Sequence, residues 1–74
     1  MEKELKLEIF LKKSRLRKEV WIRLNKAKTA TEIAKELGKH RSSVSRVLLD
    51  MEKEEFVSCV NDKDKSFRHY MKID

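Results

Sequence analysis

The sequence predicts one small, mainly α-helical domain that ends in a β-hairpin, which is an α+β fold. Apolar residues recur at helical spacing on both sides of Gly38, the one glycine among 74 residues, and there is no proline. Near the C-terminus, residues 56–60 are rich in β-branched and aromatic side chains. In residues 67–73 two sets of side chains alternate as on the two faces of a strand, namely Phe67, His69, Met71 and Ile73 on one face and Arg68, Tyr70 and Lys72 on the other. The polar cluster between these two segments favours a turn.

The N-terminal arm, residues 1–13, is ambiguous between strand and helix. Its apolar residues alternate as in a strand, while Leu7, Phe10 and Leu11 have the spacing of a helical stripe. The high Glu and Lys content favours a helix slightly. A core built from the remaining residues, about 60 of them, does not obviously need the arm's apolar side chains, which are Leu5, Leu7, Ile9, Phe10 and Leu11.

A first helix is predicted over residues 15–26, with Ser14 as its N-cap. Its stripe consists of Leu16, Val20 and Leu24, with Trp21 beside it. Ile22 points away from that stripe. It indicates either contact with the arm or a second subunit, or an ordinary exposed side chain.

A short extended link at Thr29 and a short helix are predicted next. Thr31 is the N-cap candidate, and Glu32 lies in the first turn, where the helix dipole favours an acid. The inner face consists of Ile33, Ala34 and Leu37. Gly38 is expected to end the helix in a left-handed conformation.

Another helix is predicted from Arg41 to Glu54. Its buried stripe has i, i+3, i+4 and i+7 spacing and consists of Val44, Val47, Leu48 and Met51. Ser42, Arg46 and Lys53 fall near the opposite side. The outward face therefore carries small polar groups and cations, with little bulk near its beginning.

Charge is distributed unevenly over a net +6. Residues 1–50 carry 14 Lys and Arg against 7 Asp and Glu, whereas residues 51–74 carry 5 against 6. A basic first part suggests a polyanion, and nucleic acid is the commonest one. The alternative is a solvated surface without a binding role.

Several function classes have little support in the sequence. There is no Ser–His–Asp order, HExxH or phosphate-binding loop, so we expect no enzyme activity and no cofactor. Cys59 is the one cysteine, which fits a reducing, cytoplasmic setting, and the spacing of His40, Cys59 and His69 matches no metal motif. Neither a membrane-spanning segment nor a signal peptide is expected, nor is a small-molecule substrate.

The stretch "TATEIAKELGKHRSSVSRVLLDMEKEEFV", followed by the hairpin, resembles a winged helix–turn–helix domain of small archaeal and bacterial transcription regulators, with a MarR- or ArsR-like recognition unit. The resemblance covers residues 14–73, and residues 14–74 are expected to form one domain. "TEIAKELG" resembles the first helix of the motif, "HRSSVSRVLLDMEKE" the recognition helix, and "NDKDKS" the wing. The family usually has a glycine where this chain has Glu55, so the geometry of that helix end is expected to differ or to be strained.

The resemblance implies that the recognition helix enters the major groove of double-stranded DNA. The short Ser42 and Ser43 permit close approach, and Arg46 has the fork that fits guanine O6 and N7. Wing residues would lie near the minor groove or the backbone. The candidate DNA-binding residues are Lys39, His40, Arg41, Ser42, Ser43, Ser45, Arg46, Lys63, Lys65 and Arg68.

A homodimer that reads two half-sites is the expected assembly, in a nucleoid-associated setting. The candidate dimer-interface residues are Leu5, Leu7, Ile9, Phe10, Leu11 and Ile22. Packing of the arm on its own domain is the alternative. Two other functions stay open, namely a winged-helix protein-interaction module and nonspecific binding to nucleic acid.

Overall fold

The computed structural model describes residues 2–61 and 68–73, and it has the element order expected of a winged helix–turn–helix domain. The elements are α1 (Glu2–Lys12), α2 (Arg15–Arg23), β1 (Lys28–Thr29), α3 (Ala30–Leu37), α4 (Arg41–Lys53), β2 (Val57–Cys59) and β3 (His69–Lys72). The predicted fold class, mainly helical with a C-terminal hairpin, is confirmed.

The N-terminal arm is a helix, which resolves its ambiguous pattern. Leu7, Phe10 and Leu11 are half-buried against the core, while Leu5 and Ile9 on the other side of α1 are 59% and 51% exposed. The i, i+3, i+4 spacing therefore predicted the buried face, and the strand-like alternation was misleading. Packing on the domain core stabilises a helix that would be marginal at 11 residues.

Helix α2 begins where the sequence predicts but ends earlier. Ser14 is extended (φ −154°, ψ 128°), and its side chain accepts a hydrogen bond from the Arg17 N–H at 3.4 Å. The prediction that the helix continues to residue 26 was wrong. Leu24 leaves helical geometry at φ −83° and ψ 54°, and its side chain is buried in the core.

Thr29, and not Thr31, caps α3. The Thr29 hydroxyl accepts from the Glu32 N–H at 3.1 Å, and the Glu32 carboxylate accepts from the Thr29 N–H at 3.1 Å. The Thr31 prediction missed this reciprocal capping box, although Thr29 and Glu32 have its characteristic spacing. At the other end, Gly38 has φ 65° as predicted.

Helix α4 buries the predicted stripe of Val44, Val47, Leu48 and Met51. Its C-terminus keeps the geometry that usually requires glycine, because Glu55 has φ 63°. The Glu55 N–H donates to the Glu52 carbonyl at 3.0 Å, and the Phe56 N–H donates to the Met51 carbonyl at 2.9 Å. These two bonds form a Schellman motif, which satisfies the last carbonyls of the helix.

The sheet is antiparallel and has the strand order β1-β3-β2. Both hairpin strands are shorter than the predicted segments 56–60 and 67–73, and the predicted turn falls largely in residues 62–67, which lie outside the described part of the chain. Tyr70 faces the core, and its neighbour Met71 is 46% exposed on the other side. The third strand, β1, pairs Lys28 with Tyr70.

One core joins the helices to the sheet. The rings of Phe10 and Phe56 meet edge to face at 5.4 Å, which attaches α1 to the start of the hairpin. Trp21 is half-buried, and the Lys72 ammonium lies 4.4 Å from its ring centroid. The buried apolar residues are Val20, Leu24, Ala30, Ile33, Ala34, Val44, Val47, Leu48, Met51, Phe56, Val57 and Tyr70.

Candidate nucleic-acid interface

The N-terminus of α4 projects polar side chains from an open turn. His40 is the N-cap residue in extended geometry, but its side chain makes no capping hydrogen bond to the helix. The Ser43 and Val44 N–H groups bond to the His40 carbonyl at 3.1 and 3.3 Å. A helix N-terminus carries a partial positive charge, so this end of α4 attracts anions.

A shallow concavity of about 430 Å³ lies at this end of α4, lined by His40, Arg41, Ser42 and Ser45. Ser42 and Arg46 are four residues apart and therefore lie on the same side of the helix, where both are exposed. The structure thus brings seven of the candidate DNA-binding residues together at the N-terminal part of α4 and the turn before it. They are Lys39, His40, Arg41, Ser42, Ser43, Ser45 and Arg46.

The arginines of α2 differ from those of α4 in their partners. The Arg15 side chain lies 3.3 Å from Glu19, that of Arg17 3.9 Å from Asp50, and that of Arg23 3.6 Å from Glu36. Within residues 2–61 and 68–73, neither Arg41 nor Arg46 has an acidic side chain within 4.0 Å. Their charge is therefore available to an external anion.

The predicted wing residues are described only in part. Arg68 is exposed just before β3, whereas Lys63 and Lys65 lie outside the described residues. The base of the wing is held by Asn61, whose Oδ1 accepts from the His69 N–H at 2.6 Å. The Asn61 amide nitrogen also lies 3.2 Å from His69 Nδ1.

His69 connects the wing base to the first helix of the helix–turn–helix motif. Its Nε2 lies 3.8 Å from the carboxylate of Glu32, the acidic residue of the α3 capping box. The pKa of Glu32 is lowered, first by the hydrogen bond from the Thr29 backbone N–H and further by the Thr29 hydroxyl and the charges of His69 and Lys26, while burial opposes the shift. Sequence reasoning missed this contact, because Glu32 and His69 are distant in the chain.

The three residues considered for a metal site do not form one. Cys59 is half-buried with its Sγ 3.7 Å from Asn61 Oδ1, and His40 lies in the exposed turn before α4. Across the described residues, no group of three His, Cys, Asp or Glu side chains could hold a metal ion. None of the helices described is long and apolar enough to cross a membrane.

The candidate dimer residues separate into groups. Leu7, Phe10 and Leu11 pack against the core of their own domain, whereas Leu5 and Ile9 are exposed on α1. Ile22 is 64% exposed and lines a different groove, with Glu19, Arg23 and Leu37. The structure therefore does not group Ile22 with the exposed face of α1.

Comparison with known proteins supports a helix–turn–helix assignment. Residues 23–58, slightly less than half of the chain, match the family model of the IclR helix-turn-helix domain. No curated protein and no solved structure gave a significant match. The match includes α3, the turn and α4, and it gives no indication of MarR or ArsR membership or of an archaeal origin.

The matched segment and the observed fold agree with each other. The IclR-type match begins at the end of α2 and ends within β2. It therefore includes all of α3 and α4, and with them the exposed polar N-terminal end of α4. This similarity supports DNA binding by a transcription regulator. The chain is thus a winged helix–turn–helix protein whose central segment is similar to the helix-turn-helix domain of IclR-type regulators.

Proposed function

We propose that this protein is a transcription regulator that binds double-stranded DNA sequence-specifically, with the N-terminal part of α4 in the major groove. The observation that carries this proposal is the contrast among arginines. Arg41 and Arg46 project from the exposed end of α4 without an acidic partner among the described residues, whereas the arginines of α2 lie close to carboxylates.

Each side chain at this end of α4 has a role that its chemistry supports. Arg46 donates two hydrogen bonds to guanine O6 and N7, and the short Ser42 and Ser43 allow close approach and bond to base edges or phosphate. Arg41 and the backbone N–H groups of the first turn contact phosphate. Residues with supporting polar contacts are Lys39, His40 and Ser45.

The wing supplies secondary contacts in this proposal. Arg68 is exposed beside β3, and Lys63 and Lys65 belong to the polar segment that follows Asn61. These cations meet the adjacent minor groove or backbone, which adds affinity without much sequence information. Asp62 and Asp64 reduce the charge of the segment, so this contribution is smaller than that of α4.

Two copies would act together on DNA. A homodimer presents two α4 helices to half-sites about one helical turn apart, so the site is roughly palindromic. The arm supplies the dimer contact in this proposal, and sedimentation of a full-length chain with Leu5→Ser and Ile9→Ser tests it, because these two side chains are exposed and can be changed without disturbing the core. A variant that still dimerises would remove the exposed side of the arm from the interface. A regulator of this kind acts at the nucleoid in the cytoplasm.

Selection from random duplex DNA at near-physiological salt tests the function. The wild-type chain should enrich a roughly palindromic motif, and Arg46→Ala should relax it at one position per half-site, with a loss of about 1–3 kcal/mol there. Arg15→Ala is the matched control, because Arg15 is exposed but lies on α2 beside Glu19. No enriched motif, with binding that vanishes as salt rises, would indicate nonspecific binding instead.

A protein-interaction module is the second candidate, and the sheet supports it. Met71 on β3 is 46% exposed, and Val60 and Ile73, which follow the ends of β2 and β3, are 54% and 38% exposed, so the hairpin region carries apolar side chains outside the core. A partner protein that covers such a surface would account for it. In that case DNA binding is weak and indifferent to Arg46→Ala, whereas Met71→Ser weakens capture of the partner.

A further inference from the structure

Helix α4 carries an exposed leucine on the side that faces away from the core. Leu49 is 47% exposed, whereas the apolar stripe on the opposite side of the helix is buried. With Val44 in that stripe taken as zero at 100° per residue, Leu49 falls at about 140°, between Ser45 at about 100° and Arg46 at about 200°. Leu49 therefore lies on the same outward face as the side chains proposed to contact DNA.

The geometry of the helix directs this side chain toward the N-terminal end of α4. Every Cα–Cβ bond of an α-helix tilts toward the N-terminus, so a side chain covers the surface over the preceding turn. For Leu49 that turn contains Ser45 and Arg46. Leu49 lies about 10 Å from Ser42 along the helix axis, at 1.5 Å per residue. These four residues therefore form one continuous strip over about two turns of the helix.

The charges of α4 favour the approach of a polyanion along this strip. Within residues 41–53, all of which the structure describes, the sector between about 100° and 200° contains no acid. Besides Leu49, its residues are small and polar or basic, namely Ser42, Ser45, Arg46 and Lys53. The acids lie outside the sector: Asp50, at about 240°, has its carboxylate 3.9 Å from Arg17, and Glu52 falls at about 80°. A polyanion thus meets hydroxyls, cations and one apolar side chain.

The major groove of DNA offers one apolar group on a base edge, which is the C5-methyl group of thymine. Cytosine presents an amino donor on its edge instead, and this donor would lose its hydrogen bond to water if an apolar side chain covered it. The Leu49 side chain has no polar atom that could bond to a base or a phosphate. Its favourable partner in the groove is therefore the thymine methyl group.

We propose that Leu49 is a specificity-determining residue that contacts the C5-methyl group of a thymine in the binding site. The inference rests on the proposed function, because it requires α4 to lie in the major groove. Leu49 is three residues beyond Arg46, which is about 4.5 Å along the helix axis, and successive base pairs are about 3.4 Å apart. The thymine should therefore lie one or two base pairs from the guanine that Arg46 contacts.

Substitution of deoxyuridine for thymine tests the contact, because it removes the methyl group and leaves base pairing intact. The full chain is titrated with duplexes that carry a single half-site of the selected motif, so the result does not depend on dimerisation. Deoxyuridine at the thymine beside the guanine should lower wild-type affinity about fourfold, the effect expected for one buried carbon. Deoxyuridine at thymines farther from the guanine should leave affinity unchanged.

Variants of Leu49 assign the effect to this side chain. Leu49→Ala is too short to reach the methyl group and should bind the thymine and deoxyuridine duplexes equally, whereas the apolar Leu49→Met should keep most of the difference. Ile22→Ala is the matched control, since Ile22 is also an exposed apolar residue on a helix but lies on α2, and it should keep the full effect. Circular dichroism checks that each variant folds. A methyl effect that persists in Leu49→Ala would overturn the inference.

The outcomes separate this inference from the proposed function. A motif that Arg46→Ala relaxes, but in which deoxyuridine has no effect at any thymine, would overturn the role of Leu49 and leave DNA reading by α4 intact. A motif without thymine within two base pairs of the guanine would do the same. Failure to enrich any motif would overturn both the proposed function and the inference.

Discussion

The guanidinium of Arg17 lies over the ring of Phe10, with its central carbon 3.9 Å from the ring centroid, and donates to the Phe10 carbonyl at 3.2 Å. The same side chain extends to within 3.9 Å of the Asp50 carboxylate. Arg17 thus caps the C-terminal turn of α1 and joins α1, α2 and α4 at one point. This clamp holds the C-terminal end of α1 near α4, in addition to the contact between Phe10 and Phe56.

Replacing Arg17 should destabilise the domain. Arg17→Ala removes the cation–π contact and the charged hydrogen bond, and we expect a loss of about 1–3 kcal/mol in the free energy of unfolding. Arg17→Lys retains the charge but not the flat guanidinium, so it should recover only part of the loss. Urea unfolding measures both. The exposed Arg15 is the control position, where alanine should change stability by less than about 0.5 kcal/mol. An equal loss at both positions would argue against the clamp.

Glu55 is a site where glycine should stabilise the protein. A non-glycine residue in the left-handed region costs about 1–2 kcal/mol, and the added freedom of glycine in the unfolded chain offsets part of that. Glu55→Gly should therefore raise the free energy of unfolding by up to about 1 kcal/mol. At the adjacent Glu54, which has φ −85°, glycine relieves no strain and should lower stability. Thermal unfolding of the two variants should shift in opposite directions.

The capping box of α3 makes stability depend on pH. The pKa of Glu32 is lowered in the folded state, so its carboxylate contributes stability above its ordinary pKa near 4.5. This contribution is lost as the pH falls through the lowered folded-state value. Unfolding of the wild type and Glu32→Gln from pH 7 to 3 should give a stability difference that shrinks with acidification. A difference independent of pH would exclude the carboxylate as its source.

Thr29 should be sensitive to substitution where Thr31 is not. Thr29→Ala removes the hydroxyl that accepts from the Glu32 N–H, and we expect a loss of about 0.5–2 kcal/mol. Thr31 lies inside α3, where alanine has the higher helix propensity, so Thr31→Ala should be neutral or slightly stabilising. Chemical denaturation of the two variants checks this contrast. A larger loss at Thr31 would restore it as the cap.

Lys28 should depend on Glu36 as a counter-ion for its stability in the fold, because the Lys28 side chain is only 7% exposed. Its ammonium lies 3.0 Å from both carboxylate oxygens of Glu36, which is 33% exposed. Glu36→Gln leaves a largely buried charge without its counter-ion, and we expect a loss of about 1–3 kcal/mol. Adding Lys28→Met should recover much of it, since the buried charge is then removed as well. Denaturant midpoints of the single and double variants measure the recovery.

Local patterns were sufficient to predict much of the fold and the position of the candidate site. The stripe from Val44 to Met51 is buried as its spacing predicts, and this alone places Ser42 and Arg46 outward. Gly38 and Ser14 fulfil their predicted capping roles. The predictions of helix ends were less accurate. Helix α2 ends before Leu24, whose side chain is buried in the core, and α3 is capped by Thr29 through its reciprocal hydrogen bonds with Glu32.

The sequence by itself determined the order of the helices and the hairpin after the arm, the buried stripes of α3 and α4, and the polar, cationic start of α4. These follow from spacings within one turn or two of the chain, where physical preferences are local. Only the tertiary structure decided that the arm is a helix with Leu7 inward and Leu5 outward, that Lys28 pairs with Glu36, and that His69 meets Glu32. Those outcomes depend on which distant residues are brought together, and the left-handed Glu55 is tolerated because the packing of Phe56 and Val57 outweighs its strain.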